Sequence, residues 1–398
     1  MSKKRRGFIF ALAAVLLVYA GWIGWQTLRF KTYPSPTVPA GSSAEPGPPV
    51  HEVMGVYHIH SRYSDGWKSV EQIASIAARA GLDFIILTDH GKPNLLSLSS
   101  QGWRNGLLVL AGSELSVNRG HLVGLEFDKP STPFSQITEM AAQEIIALGG
   151  FSIIAHPYSK VRWSWGTTIP YAGIEIIDED TMLRKNIPKS LLYLPALLVN
   201  PRLALLRIIA PPRQAIRKWD ELNGRRQNRI YGYFSADAHY LYRAVFPIFH
   251  LHVLLENSLA PEFEAARRQV FDSLRNGHFY SAVDGAAGAG GFNVWAEYDS
   301  KKFSMGSELD TMSGPAGSAA PLKLRVTAPF SVPFEIRLLC NGRVILRSEK
   351  RAVTFEAGAP GVYRVEVYLK AKSPLHPDVP WILSNPIFFN TPLRKERR

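Results

Sequence analysis

The chain has 398 residues, 46% of them hydrophobic and 20% charged, which is enough apolar material for at least one large core and more than one domain and excludes a disordered or fibrous protein. Its net charge of +13 is concentrated in Lys3-Lys4-Arg5-Arg6 and Arg394-Lys395-Glu396-Arg397-Arg398, with the other bases scattered, so no nucleic-acid footprint is read and the charge points to anionic surfaces or substrates. The single cysteine, Cys340, excludes an intramolecular disulfide and a cysteine-rich zinc site, leaving His, Asp and Glu to hold any metal.

The basic segment 1–7 precedes an uninterrupted apolar stretch, residues 8–25, which as a helix covers about 27 Å, close to the hydrocarbon thickness of a bilayer. No small-residue cleavage site follows at once, and Trp22, Trp25 and Arg29 have the character of an interfacial anchor. This predicts a single-pass inner-membrane protein with a signal anchor, residues 1–7 in the cytoplasm and the rest in the periplasm or its equivalent. A cleaved leader is the alternative and leaves the compartment unchanged. Residues 26–50 are rich in Pro, Ser and Gly and read as a spacer.

Apolar strands are expected over 53–60, 84–88, 107–111, 122–127, 151–155, 173–178 and 230–235, with helical patterns between them. In the first helix Ser69 and Gln72 make a capping-box pair, Val70, Ile73, Ile76 and Ala80 recur at helical spacing, and Gly81 is the stop. The alternation predicts an α/β fold, a closed or nearly closed barrel over 51–285. Strands 107–111 and 122–127 are too close for a crossover helix and are expected to pair antiparallel. The insertion 179–229 reads as buried helices of an active-site lid, with membrane contact as the other reading. After the Gly/Ala run near 286–291, strand patterns with turns at Asn341-Gly342 and 358–361 predict a sandwich-like all-β domain over 291–392.

His58 and His60 are two apart in a predicted strand, so both rings share a face and suit one metal. Asp65 follows in Tyr-Ser-Asp-Gly, then Asp89-His90, Glu114 in Gly-Ser-Glu-Leu, His156 in Ala-His-Pro, and Asp237 with His239 in Ser-Ala-Asp-Ala-His. Each group falls at or just beyond a strand's C-terminal end, where barrel enzymes build their sites, while His121 opens its strand. Asp89 either orients His90 or caps a turn. His250-x-His252 lies in the apolar run ending Val253-Leu254-Leu255, with no Asp-Gly after it, and reads as a core strand. Lys160 and Arg162 are candidates to meet a phosphate, although exposed loop bases are usually solvated.

Over residues 53–285 these motifs resemble the PHP family of polymerase-associated and histidinol-phosphatase proteins. The resemblance implies a distorted seven-stranded (β/α)7 barrel carrying up to three divalent metals. It assigns His58, His60, Glu114 and Asp237 to one ion, Glu114 with His121 and His156 to a second, and Asp65, His90 and His239 to a third. The exported barrel followed by a β-domain is similar, more narrowly, to the CehA/McbA-type branch. Imidazoles mixed with carboxylates suit zinc, manganese or iron. Three divalent ions outweigh Asp65, Glu114 and Asp237 in charge, which favours a small anionic ester. The function expected is phosphoester hydrolysis by a metal-bridging hydroxide, supported by Glu114 and Asp237. Carboxyl-ester, carbamate or amide hydrolysis, and a non-catalytic metal-binding envelope protein, are the alternatives.

Overall fold

The computed structural model describes residues 3–29, 47–48, 50–165, 170–178, 181–182, 184, 187–193, 195–224, 229–310, 322–370 and 373–390. The predicted spacer 26–50 lies mostly outside them. Helix α1 (Lys3–Arg29) is continuous and is long and apolar enough to cross a membrane or to serve as a signal sequence.

Two sheets position the site. Strands β1 (His51–Ile59), β2 (Phe84–Leu87), β3 (Gly102–Arg104) and β4 (Leu107–Ala111) belong to a long sheet, and β5 (Ser113–Val117), β6 (Gly120–Leu125), β7 (Phe151–Ile154), β8 (Gly173–Asp178) and β9 (Tyr231–Ser235) form a second in that order. In the first sheet β1, β2 and β4 run parallel. In the second, β7, β8 and β9 run parallel, whereas β5, β6 and β7 are antiparallel. The second sheet meets the first at both of its own edge strands, β5 and β9. One meeting point is the chain itself, which runs from β4 through Gly112 into β5, with a bridge between His90 and Glu114; the other is a bridge between Ile59 and Ala238 at the ends of β1 and β9. The antiparallel partner of β6 is thus β5, the continuation of the strand predicted to end at Ala111.

Strand alternation divides the apolar side chains between two clusters. Tyr57, Phe84, Ile86, Leu108, Leu110, Ile153 and Tyr233 share one face. Val56, Ile59, Ile85, Leu87 and Val109 pack with Ile73 and Ala77 of α2 (Val70–Arg79) on the other. The predicted capping box is present, with Ser69 Oγ accepting from Gln72 N at 3.3 Å and Gln72 Oε1 accepting from Ser69 N at 3.2 Å. Helices α3 (Leu95–Ser99) and α4 (Thr138–Ala147) follow, the second burying Ala141 and Ile145.

The described part of the insertion folds as α5 (Ile187–Tyr193), α6 (Ala196–Val199), α7 (Pro201–Ile208) and α8 (Arg213–Gly224). Leu203, Leu205 and Leu206 of α7 and Trp219 of α8 are buried, as expected of a lid, but Ile187, Leu191, Leu198 and Val199 of α5 and α6 are exposed. After α9 (Tyr242–Val245), strand β10 (His250–Leu255) pairs antiparallel with β1, helix α10 (Phe263–Arg275) follows, and β11 (Phe279–Ala282) pairs with β10. The C-terminal region is rich in strands. Asn293–Tyr298, Lys301–Ser304, Leu322–Thr327 and Ala352–Ala357 make a four-stranded antiparallel sheet. The remaining C-terminal strands extend the long sheet, because Ile382–Ser384 pairs with β11. The β-rich region is therefore hydrogen-bonded directly to the strands that precede it.

Candidate metal centre

The His58-x-His60 pair reaches the site through a fault in its strand. The register between β1 and β2 shifts between Tyr57 and Ile59, and His58 takes a left-handed backbone, φ 67°. The shift inverts the alternation, since Tyr57 packs on one face and Ile59 already lies on the other. A bulge re-aims side chains in this way. His156 and Asp237 also have positive φ, 25° and 42°, so three of the nine candidates adopt a backbone that non-glycine residues avoid, as is common where function imposes the geometry. Gly66 is required after Asp65: a Cβ there would stand 2.2 Å from the His60 carbonyl oxygen.

All nine residues come together, in three overlapping groups: His58, His60, Glu114 and Asp237; Glu114, His121 and His156; and His60, Asp65, His90 and His239. The first is the most buried. His58 Nε2 lies 3.2 Å from Glu114 Oε2 and 3.4 Å from Asp237 Oδ1, and His60 Nε2 lies 3.2 and 3.3 Å from the same two oxygens. Donors around a tetrahedral ion at ordinary ligand distances stand about 3.3 Å apart. His60 Nε2, Asp237 Oδ1 and His90 Nδ1 are buried with no hydrogen-bond partner. Orphaned polar atoms of this kind are costly in a protein interior, and divalent cations would satisfy them. The donor set therefore fits a metal. Glu114 faces two ways, with Oε2 toward His58 and His60 and Oε1 2.7 Å from His121 Nδ1 and 2.8 Å from His156 Nε2. Asp65 Oδ2 is 3.2 Å from His239 Nε2, and Asp65 Oδ1 is 3.4 Å from His60 Nδ1.

The electrostatics agree. Burial disfavours charge on His58, but Glu175, Asp237 and Glu114 outweigh it and hold its pKa well above the ordinary value. The same opposition raises His60 to about 9 and His156 to about 10. Burial pushes the carboxyls of Asp65, Glu114 and Asp237 upward, yet the surrounding imidazoles bring all three well below the usual range. Carboxylates that draw protons onto His58, His60 and His156 form an environment suited to a cation.

Sequence reasoning missed Glu175. Its Oε1 accepts from His58 Nδ1 at 2.7 Å and its Oε2 from the His156 backbone N–H at 2.7 Å, which fixes one ring and the turn that carries another. The available signal was a glutamate inside the apolar strand Gly173–Asp178. Asp178, at the end of that strand, is also buried; burial and then the nearby Asp237 push its pKa well up. Asp89 proves to be a turn brace, accepting from Ser61 N at 2.6 Å, Ser61 Oγ at 2.8 Å and Ser64 Oγ at 2.7 Å. Lys160 and Arg162 are exposed on the loop after His156. A cavity of about 190 Å³ opens beside His156 and Asp178, walled by Tyr158, Met182 and the insertion residues Ala210, Pro211 and Ala215.

No protein-family model matches the chain, and no curated protein matches it. Among solved structures, a two-domain protein from Bacteroides vulgatus, containing a domain predicted to be a PHP-like metal-dependent phosphoesterase, is 13% identical with a TM-score of 0.42, covering 87% of this chain and all of its own. An amidohydrolase from Chromobacterium violaceum with bound sulfate and no metal is 18% identical, with a TM-score of 0.31, covering 48% of this chain and 89% of that one. A protein from Bifidobacterium adolescentis described as a metal-dependent phosphoesterase is 12% identical, with a TM-score of 0.31, covering 47% of this chain and 87% of that one. Two of these neighbours thus carry a metal-dependent phosphoesterase description, one of them PHP-like.

Proposed function

We propose that the chain is a metal-dependent hydrolase of a small anionic phosphate ester, built on a distorted seven-stranded barrel and held at a membrane by α1 with its site outside the cytoplasm. The observation that carries this reading is the set of four buried donor atoms at ligand spacing, two of which, His60 Nε2 and Asp237 Oδ1, have no hydrogen-bond partner. The barrel reading is supported by both edge strands of the second sheet meeting the first. His58, His60, Glu114 and Asp237 would hold one ion, Glu114, His121 and His156 a second, and Asp65, His90 and His239 a third. Their imidazole and carboxylate donors suit zinc, manganese or iron. When bound, such ions neutralise the ester's charge and lower the pKa of water.

The protein's own contribution is positional. Glu175 orients His58 and the His156 turn, and the cavity beside His156 would seat the ester's leaving group against an apolar wall. Metal analysis of the full-length protein in detergent, with turnover on p-nitrophenyl phosphate, bis(p-nitrophenyl) phosphate, p-nitrophenyl acetate and an aryl carbamate, tests the reading. Two to three equivalents of transition metal and phosphoester turnover lost on chelation are expected. Turnover confined to the acetate or the carbamate would replace the substrate class, and metal binding without turnover on any of the four would leave a scaffold.

A further inference from the structure

Helix α1 does not stand apart from the rest of the chain. From Lys4 to Val18 every residue is exposed, but its last turns dock on the insertion. Ile23 is only 4% exposed and packs with Tyr193 of α5, Ala196 of α6 and Ala204 of α7. Trp22 lies against Tyr193 with ring centroids 5.5 Å apart, Tyr19 Oη donates to the Leu192 carbonyl, and Arg207 donates to Gln26 Oε1 at 3.1 Å. The depth of these contacts matters. Tyr19 sits about 9 Å of helix before the end of the apolar stretch 8–25. If that stretch fills a bilayer, whatever touches Tyr19 and Trp22 lies below the surface of the leaflet at the C-terminal end of α1.

The insertion is built for that position. Beside the docked residues, Leu198 is 91% exposed, Val199 66% and Leu191 65%, and Ile187 and Leu192 are exposed with them. Five large apolar side chains open to water within 13 residues form a contiguous sequence patch of the kind that marks an interaction surface. Lys189, exposed among them, has the reach to place its ammonium among lipid phosphates.

We propose that α5 and α6 form an in-plane membrane seat, with Ile187, Leu191, Leu192, Leu198 and Val199 in contact with phospholipid of the leaflet at the C-terminal end of α1. The seat goes beyond single-helix anchoring and rests on α1 being a span, not on the chemistry of the metal centre. It also ties the insertion that walls the cavity beside His156 to the bilayer at its other end.

Full-length protein carrying Cys340→Ser and one new cysteine, Leu198→Cys, Ile345→Cys or Phe10→Cys, is labelled with an environment-sensitive fluorophore. It is then reconstituted in phosphatidylcholine–phosphatidylglycerol vesicles containing a lipid with a shallow nitroxide. The probe at Leu198 is expected to shift to the blue and to lose at least half of its emission to the nitroxide, as the probe at Phe10 does. The probe at Ile345, in the exposed C-terminal strand Arg343–Ser348, should keep its emission. Quenching at Phe10 with a Leu198 signal like that of Ile345 would overturn the seat, and so would a blue shift at Leu198 without lipid quenching, which would mean burial by a second copy. An unquenched Phe10 would remove the span and the seat with it. Leu191→Cys, on the neighbouring helix, provides a second reporter.

Discussion

Two His-x-His pairs lie on strands that pair with each other, β1 and β10, and both are buried. In the first, His58 Nδ1 donates to Glu175, the Nε2 atoms of both rings face Glu114 and Asp237 at 3.2–3.4 Å, and His60 Nε2 and Asp237 Oδ1 have no hydrogen-bond partner. In the second the contacts are closed. His250 Nδ1 is 2.7 Å and His252 Nε2 2.6 Å from the same Asp284 Oδ2, while the other nitrogens reach the Phe246 carbonyl at 2.6 Å and Glu52 Oε1 at 2.5 Å. Asp284 and Glu52 also accept from the backbone of Ala289 and Gly291, so the network pins the Gly/Ala loop to the sheet. The second group has metal-competent atoms too, but all four of its ring nitrogens have hydrogen-bond partners, whereas His60 Nε2 and Asp237 Oδ1 have none. Identical spacing therefore does not decide between a ligand pair and a structural pair. What each ring nitrogen faces does.

The largest effect should come from the open pair. Glu114→Gln keeps the shape but removes the charge shared by two groups, and His58→Ala removes a ligand. Each is expected to lower kcat by about a thousandfold or more, with metal content falling, while circular dichroism of metal-loaded protein stays near wild type. Glu175→Gln should be milder, about 10- to 100-fold in metal affinity or activity, because it loosens His58 without deleting a donor. A Glu175→Gln protein with wild-type metal affinity and turnover would mean that His58 needs no orienting partner.

The closed pair should show the reverse pattern. His250→Asn with His252→Asn should leave metal stoichiometry and turnover per folded molecule near wild type, at a stability cost of about 3 kcal/mol, because the buried carboxylates of Asp284 and Glu52 lose the imidazoles they pair with. If this variant lost metal while Glu114→Gln kept full activity, the two roles would have to be exchanged. The smallest effect concerns pH. The carboxylates of Asp284 and Glu52 raise His252 from 6.5 to about 10 against the effect of burial. Its stabilising contribution is complete below about pH 6.5 and is lost as pH rises toward 10. The stability gap between wild type and the double variant, read from urea melts, should therefore narrow steadily from pH 7 to pH 10. A constant gap would show that His252 is not held charged.

Eight of the nine candidate ligands were legible in the sequence because each belongs to a short local signal, such as His-x-His, Asp-Gly or Asp-Ala-His, at the end of an apolar run, and strand ends are where a parallel sheet collects its loops; His121, which opens its strand, was reached through the family resemblance. The capping box of α2 and the apolar N-terminal helix were legible for the same reason, since every group that makes them lies within a few residues of the others. Glu175, Asp284 and Glu52 were not. Each acts on a histidine far away in sequence, so only the packing of β8 against β1, or of the Gly/Ala loop against β10, reveals it. The bulge at His58 was also invisible. Ordinary alternation predicts a shared face for His58 and His60, but the register between β1 and β2 decides which face that is. The insertion divides in the same way: its apolar runs are plain in the sequence, but which of them face the core and which are left exposed beside α1 depends on what the rest of the chain puts next to them. Local chemistry is written in neighbouring residues, whereas the partner that orients, neutralises or covers a group is chosen by the fold.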